Sequence, residues 1–205
     1  LVSFVITALL APKPEVENAR AQQLKDVSFP RASEDAPIPL ILGRVRMDAP
    51  NTTWWGDFRS VPIKKKIKTS PFTSVKVIVG YRYFVGLDLA LGMGPCSLHQ
   101  IFMDDKELWA GTAGNTTPTS IPISQPSFFG GLEKGGGWIS SGTYYPGTFP
   151  QAMDTYVASQ LGADLTPGYN GTAHVVFNAE IGESAQLRRV AFVLSSYTNA
   201  LALPN

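Results

Sequence analysis

The sequence predicts a mainly β protein with a minor α part (α+β), built from antiparallel strands and one clear helix near residues 149–161. Three observations lead to this prediction. One long segment alternates apolar and other side chains with a period of two, which is typical of a strand. The 205 residues include 19 glycines and 16 prolines, which divide the chain into short segments. Only one segment combines a helical spacing of apolar residues with both start and stop signals.

The chain opens with an apolar run, residues 1–11, that a break at Pro12 and Pro14 separates from the rest of the chain. The run is shorter than the roughly 20 apolar residues that cross a bilayer. We predict that residues 1–25 form an apolar anchor and arm that docks on a partner. The end of a signal peptide or of a truncated membrane helix is the alternative. The candidate assembly contacts in the run are Phe4, Val5, Ile6, Leu9 and Leu10.

A β-rich region is predicted over residues 26–197. Its Thr-, Gly-, Asn- and Pro-rich stretch near 110–127 allows a division into two subdomains. Residues 40–47 are a strand candidate in which Gly43 suggests a bulge or a close backbone approach. The neighbouring Trp54 and Trp55 face opposite sides if the chain is extended. One of them is then predicted to lie in the core and the other at the surface or in an interface, and both are candidate assembly contacts.

The strongest strand signal spans residues 81–91. Its apolar face holds Tyr81, Tyr83, Val85, Leu87, Leu89 and Leu91, and its second face holds Arg82, Phe84, Gly86, Asp88 and Ala90. The apolar members of the second face predict that it is partly covered too. Asp104-Asp105-Lys106 lies between two apolar segments and predicts a tight hairpin. Residues 172–179 and 188–195 are further strand candidates.

The predicted helix has recognisable ends. Thr148 and Gln151 fit a capping box with Pro150 in the first turn, and Gly162 supplies the stop. The apolar stripe between them consists of Ala152, Met153, Tyr156, Val157 and Leu161. Residues 198–205 are predicted to begin a linker to a missing C-terminal part.

Charge is scarce and nearly balanced. Charged residues make up 16% of the chain, against roughly a quarter in typical domains. Either partners cover much of the surface, or polar Ser, Thr and Asn loops replace the charges. The net charge of +1 argues against a global nucleic-acid or acidic-membrane partner. The candidate basic patch is interpreted as a solvated hairpin tip or as a surface for DNA, an acidic partner or lipid headgroups; it comprises Lys64, Lys65, Lys66 and Lys68.

No set of residues assembles into a reaction centre. Cys96 is the single cysteine, and His99 and His174 are the only histidines. None of them falls into a metal-ligand or nucleophile motif. The carboxylates of the 104–107 turn are predicted to be exposed, without the burial that tunes an acid/base pair. We therefore predict no catalytic residue, no cofactor and no metal.

Segments spread over nearly the whole chain resemble a known family in their order and spacing. They are ALLAPKP (8–14), FPRASEDAPIP (29–39) with LGRV (42–45), WWGD (54–57), PIKKK (62–66), GYRY (80–83), LALGMGP (89–95), FGG (129–131) with GGG (135–137), YYPG (144–147) and GYNGTA (168–173). Together they resemble the N-terminal part of tail-tip (baseplate) hub proteins of siphophages and transposable phages. Related hub proteins occur in gene-transfer agents.

The resemblance implies a homotrimeric structural hub in the virion, at the tail tip. Such a hub closes the tail tube, connects the distal tail protein to fibre or receptor-binding elements, and takes part in genome ejection. Its implied partners are the tape-measure protein and other tail-tip proteins, with transient contact to the host envelope or DNA. Two alternatives stay open. A receptor- or carbohydrate-binding β module would show clustered exposed aromatics, such as Trp54, Trp55, Tyr144 and Tyr145. A cell-wall hydrolase would need a carboxylate or Cys–His pair in a cleft.

Overall fold

A computed structural model describes residues 19–21, 37–48, 50–70, 73–131 and 136–196. Within these ranges the predicted class is confirmed, because antiparallel strands dominate and one short α-helix is present. The predicted assembly contacts in the apolar run lie outside the described residues, and so does the predicted linker at 198–205. These contacts are Phe4, Val5, Ile6, Leu9 and Leu10. The division of the chain into an anchor, a β-rich region and a linker stays a prediction.

The strands are numbered in chain order. They are β1 (Gly43–Met47), β2 (Asn51–Ser70), β3 (Thr73–Met93), β4 (Ser97–Met103), β5 (Lys106–Ala113), β6 (Thr119–Ser120), β7 (Ile123–Gln125), β8 (Trp138–Tyr145), β9 (Thr172–Glu180) and β10 (Val190–Ser196). The helix α1 spans Thr155–Leu161, and single 3-10 turns lie at Phe128–Gly130 and Ala163–Leu165.

Two antiparallel sheets share one apolar core. The four-stranded sheet has the order β1-β10-β4-β5, and the six-stranded sheet has the order β2-β3-β9-β8-β6, with β7 also paired to β8. Leu89 and Phe177 of the larger sheet belong to the same buried cluster as Leu98 and Phe192 of the smaller one. The inner faces of the two sheets therefore enclose the core, as in a sandwich.

The period-two pattern of β3 is confirmed. Val85, Leu87, Leu89 and Leu91 are all buried in the shared core. The second face of β3 is covered as well, because a smaller apolar cluster of Tyr145, Val157 and Val176, with Trp54 and Tyr156 packed against it, lies on that side of the sheet. The helix α1 contributes Tyr156 and Val157 to this cover.

Two strand boundaries follow from backbone conformation. Asp104 and Asp105 have φ values of 42° and 65°, which a two-residue type I′ turn requires, so the predicted hairpin between β4 and β5 is confirmed. Gly43 opens β1 with a φ of 73°, but the β1–β10 register contains no bulge there. The glycine thus serves a left-handed backbone conformation at the strand start rather than the predicted bulge.

The helix begins later than predicted. Asp154 is its N-cap, and the Asp154 carboxylate accepts a hydrogen bond from the backbone N–H of Val157 at 2.9 Å. Only half of the predicted capping box forms: Gln151 Oε1 accepts from the backbone N–H of Thr148, but the Thr148 hydroxyl donates to the carbonyl of Pro150 and no helix starts there. Gly162 ends the helix as predicted. Residues 149–153 therefore form an ordered loop that leads into the helix.

Candidate functional site

The strands β2 and β3 continue as a pair well beyond the rest of their sheet. The strand β9 accompanies β3 only from Phe84 to Met93, whereas β2 and β3 stay paired as far as Ser70 and Thr73. We call residues 61–70 and 73–82 the ribbon. At about 3.3 Å per residue the ribbon reaches roughly 30 Å past the sheet. An isolated two-stranded hairpin is only marginally stable in water, so a ribbon of this length is suited to packing against other surfaces.

Besides the Arg82–Glu180 ion pair at the base of the ribbon, a backbone hydrogen bond joins another described segment to it. The backbone N–H of Ala19 donates to the carbonyl of Ile78 at 3.1 Å. Because the other edge of β3 pairs with β2, this contact lies on the outer edge of β3. The short described segment at residues 19–21 thus lies beside the ribbon at Ile78.

The strand register divides the predicted basic patch between two faces of the ribbon. Lys64, Lys66 and Lys68 alternate along β2 and share a face, and Lys65 points to the opposite side. Lys76 of β3 lies directly across from Lys66 and completes the first face. We call Lys64, Lys66, Lys68 and Lys76 the lysine face. The sequence prediction placed the lysines at a hairpin tip and missed Lys76; the alternation of Val75, Lys76 and Val77 is the signal that could have found it.

The lysine face is exposed and uncompensated within the described part of the chain. All four side chains are exposed, and no ion pair of the described residues includes any of them. Like charges that lie directly opposite each other, as Lys66 and Lys76 do, destabilise a strand pair. An anionic partner would remove this repulsion.

The other face of the ribbon is largely apolar. Lys65 and Ile67 of β2 lie across from Val77 and Val75 of β3. Val77 is buried and Ile67 is exposed. The ribbon therefore presents a basic face and an apolar face that point in opposite directions.

The two tryptophans separate as predicted. Trp54 pairs with Asp88 on the outer side of the sheet, and Trp55 pairs with Leu87 on the core side. The Trp54 ring meets Tyr156 edge-on, with ring centroids 5.9 Å apart. Trp55 lies on the edge strand and remains exposed.

Tyr144 and Tyr145 are buried and cannot extend an exposed aromatic surface. The Tyr144 hydroxyl donates to the carbonyl of Cys96 at 2.7 Å, and the Tyr145 hydroxyl donates to the Asp154 carboxylate at 2.9 Å. The clustered exposed aromatics expected of a carbohydrate-binding module are therefore not assembled from the four predicted residues.

A buried polar pair lies beneath the α1 region. His174 Nδ1 is 2.8 Å from an Asp88 carboxylate oxygen, and both residues are 1% exposed. The Tyr145 ring stacks on the imidazole with centroids 4.6 Å apart, and Tyr169 meets it edge-on at 5.2 Å. Among the described residues no group bonds to His174 Nε2. Sequence reasoning placed His174 in a strand but missed Asp88, since only the β3–β9 register brings the two together.

The remaining candidate catalytic groups do not come together. The Cys96 thiol is buried, donates to the carbonyl of Met93 at 3.1 Å, and has a pKa raised by burial. His99 instead contacts the Ser195 hydroxyl at 2.7 Å, and desolvation followed by the charge of Arg44 lowers the pKa of His99. The Cys–His pair considered from the sequence is thus not formed by these side chains.

The carboxylates of the β4–β5 turn take part in exposed ion pairs with arginines. Asp104 pairs with Arg188 at 2.9 Å, and Asp105 pairs with Arg46 and with Arg189. Within the described ranges no three His, Cys, Asp or Glu side chains are grouped so as to hold a metal ion. A search of the same residues for a helix long and apolar enough to cross a membrane found none.

Four buried or half-buried tyrosines make the fold sensitive to alkali. Burial, the largest cause in each case, raises the pKa of Tyr144, Tyr145, Tyr156 and Tyr169. In the unfolded chain these phenols lose their protons near pH 10, whereas the folded chain retains them. Their contribution to stability is therefore complete below about pH 10 and is lost as the pH rises above it.

The expected result is a steep loss of folding free energy between pH 10 and 11.5, measured by guanidinium unfolding followed by circular dichroism. Because the Tyr144 ring is fully buried, Tyr144→Phe should make the decline of the free energy of unfolding with pH shallower by about 1.4 kcal/mol per pH unit. An unchanged slope in this variant would show that Tyr144 ionises as readily in the folded chain as in the unfolded one.

No protein-family model matches the sequence, and no curated protein matches it. Among solved structures, a chain described as "Virion of native gene transfer agent (GTA) particle" aligns with 98% of this chain, with a TM-score of 0.48 and 19% sequence identity. The present chain spans 38% of the length of that chain.

Proposed function

We propose that the chain is a structural, non-catalytic subunit of a phage-like or gene-transfer-agent-like virion. More finely, we propose that it is the central hub of the tail tip and assembles as a homotrimer. There it closes the tail tube, connects the distal tail protein to fibre or receptor-binding elements, and takes part in genome ejection. The resemblance of ordered sequence segments over nearly the whole chain supports this assignment.

The observation that carries the proposal is the ribbon. A two-stranded ribbon that projects about 30 Å from its sheet is only marginally stable by itself, and among its described residues Val61, Ile67 and Val79 leave apolar side chains exposed. Large apolar side chains exposed elsewhere on the chain favour the same interpretation. Phe149 and Leu165, in the loops that flank α1, are 85% and 71% exposed, and Leu40 and Leu42 before β1 are exposed too. Apolar exposure on several surfaces is typical of a subunit that packs against several neighbours.

The non-catalytic part of the proposal rests on the hydrogen-bond and ion-pair partners of the polar side chains. The buried His174–Asp88 pair lies under the loops around α1, and His174 Nε2 bonds to no serine, threonine or cysteine in the described part of the chain. The carboxylates of the β4–β5 turn are paired with arginines. A zymogram on peptidoglycan should therefore show no clearing, and clearing would identify a hydrolase instead.

A ribbon deletion tests the assembly role. Ser60 and Tyr83 are paired across the strands, so an Asn-Gly turn can replace residues 61–82 and close a hairpin at the edge of the sheet. The shortened chain should keep its circular dichroism spectrum and its thermal midpoint within a few degrees. It should fail to enter particles, as measured by immunogold imaging of tail tips and by light scattering of the isolated chain for the trimer.

The matched control is Lys65→Gln, which leaves the ribbon in place and should be incorporated normally. Two results would contradict the proposal. One is normal incorporation of the shortened chain, and the other is localisation of the intact chain away from the tail tip. If the circular dichroism spectrum shows that the shortened chain does not fold, Ile67→Asp takes its place in the test. This variant leaves the backbone intact and changes only the apolar face of the ribbon. We expect that variant also to be excluded from particles, and its normal incorporation would contradict the proposal as well.

A further inference from the structure

We propose that the lysine face of the ribbon binds the phosphate backbone of double-stranded DNA without regard to base sequence. The inference stands on the geometry of the ribbon and not on the place of the chain in a tail tip. Binding by the isolated chain therefore tests it separately from the proposed structural role.

The spacing of the lysines fits a row of phosphates. Lys64, Lys66 and Lys68 alternate on one strand, so their backbone positions repeat every 6.6–6.8 Å or so. Each strand of duplex DNA carries a phosphate about every 3.4 Å along the helix axis. Because that strand also winds around the axis, neighbouring phosphates lie roughly 7 Å apart in space. The lysine repeat therefore matches neighbouring phosphates, and the flexible side chains absorb the remaining difference.

Between Lys64 and Lys68 the lysine face carries nothing that reads or stacks on bases. Ile78 and Ser74 lie across from Lys64 and Lys68 on the same face, and Tyr81, at the base of the ribbon, packs against the core between the sheets. Single-stranded nucleic acid is normally held by aromatic side chains that stack on unpaired bases, and base edges are read by Arg, Asn or Gln. A row of lysines with no aromatic side chain between them favours contact with the backbone of a duplex.

A membrane surface fits the ribbon less well. Basic elements that lie in a bilayer interface insert apolar side chains on the side that faces the lipid. Here Ile67 and Val75 are on the opposite face from Lys66 and Lys76. A bilayer that met the lysine face would leave this apolar face in water.

Lysines also protect exposed strand edges from aggregation, and β2 is the edge strand of its sheet. Within the ribbon β3 is an edge strand as well, so the protective role covers Lys76 too. That role is served by lysines in any arrangement, and it does not require Lys76 to lie directly opposite Lys66 at a cost in repulsion. The two explanations make different predictions for single-lysine variants.

The test is fluorescence anisotropy of the full chain with a labelled 20-base-pair duplex, between 50 and 200 mM NaCl. If all four lysines contact phosphates, the affinity should fall about 150-fold over this range, and Lys66→Gln should reduce that fall to about 40-fold. The matched control is Lys65→Gln, which removes the same charge from the adjacent residue on the opposite face and should leave the salt dependence unchanged. A second duplex of unrelated sequence should bind with the same affinity.

Several results would overturn the proposal. They are no binding of the duplex at 50 mM NaCl, equal losses in Lys65→Gln and Lys66→Gln, and a marked preference for one duplex sequence. Binding to vesicles of phosphatidylcholine and phosphatidylserine without binding to the duplex would assign the face to a membrane surface. Aggregation of Lys66→Gln with unchanged DNA affinity would leave only the protective role of an edge strand.

Discussion

Replacing Asp88 by leucine should lower the free energy of unfolding by about 1–3 kcal/mol, the cost of leaving a buried polar group without its hydrogen-bond partner. Asp88 and His174 are each 1% exposed, and Nδ1 of the imidazole is 2.8 Å from the carboxylate. Leucine leaves that nitrogen without an acceptor in a site that water does not reach. Because Nε2 already has no partner in the described part of the chain, the imidazole would then be buried with both nitrogens unsatisfied.

Two variants separate this effect from a general loss of packing. Asp88→Asn keeps an oxygen that can accept from Nδ1 and should cost clearly less than the leucine variant. In the double variant Asp88→Leu/His174→Phe both partners become apolar, and the phenyl ring can keep the stacking on Tyr145. Guanidinium unfolding should therefore give a double variant that is more stable than Asp88→Leu alone. Additive losses would show that the two residues do not act as a pair.

Replacing Gln151 by glutamate should lower the free energy of unfolding by about 3 kcal/mol or more at pH 7, because it places a carboxylate where the structure needs a donor. The Gln151 side chain is 8% exposed and organises the loops on either side of α1. Its Oε1 accepts from the backbone N–H groups of Gly147 and Thr148, and its Nε2 donates to the carbonyls of Gly168, Tyr169 and Thr172. In the variant an oxygen faces those three carbonyls.

The pH dependence of the free energy of unfolding distinguishes the effect of a buried carboxylate from a simple loss of packing. The carbonyls raise the pKa of the introduced carboxyl in the folded state, so its protonated form is favoured there. The variant should recover stability relative to the parent chain as the pH falls below the pKa of that carboxyl, since the O–H can donate to one carbonyl. Gln151→Met has a similar length and no charge, so its deficit should not change with pH. A glutamate variant whose deficit is equal at pH 7 and pH 4.5 would contradict the assigned hydrogen bonds.

Gln151 also shows why the helix was predicted to begin too early. The pattern of Thr148, Pro150 and Gln151 is a sound local signal for a helix start. In the folded chain the Gln151 side chain reaches the carbonyl of Thr172, and its backbone N–H donates to the side chain of Asn170. These partners are about 20 residues away, and they compete with the local cap for the same groups. Asp154 then caps the helix, six residues after the predicted cap Thr148.

The candidate site was predicted in part. The sequence located the basic residues, but it could not divide Lys65 from Lys66 between two faces or add Lys76 to the patch. That division depends on which residues of β2 and β3 lie opposite each other, and register shifts along the pair, such as the one between Ile63 and Lys64, change it. The sequence likewise offered Tyr144 and Tyr145 as exposed aromatics, and the structure buries both.

The strand pattern of residues 81–91, the tight turn at Asp104 and Asp105, and the end of the helix at Gly162 were determined by the sequence itself. Side-chain alternation and left-handed turn residues act within a few bonds of the backbone, so neighbouring residues are enough to specify them. The tertiary structure alone decided that β2 and β3 extend past their sheet and that Asp88 meets His174. Both outcomes depend on pairing between strands that are distant in the chain, and a period of two leaves the choice of partner and register open.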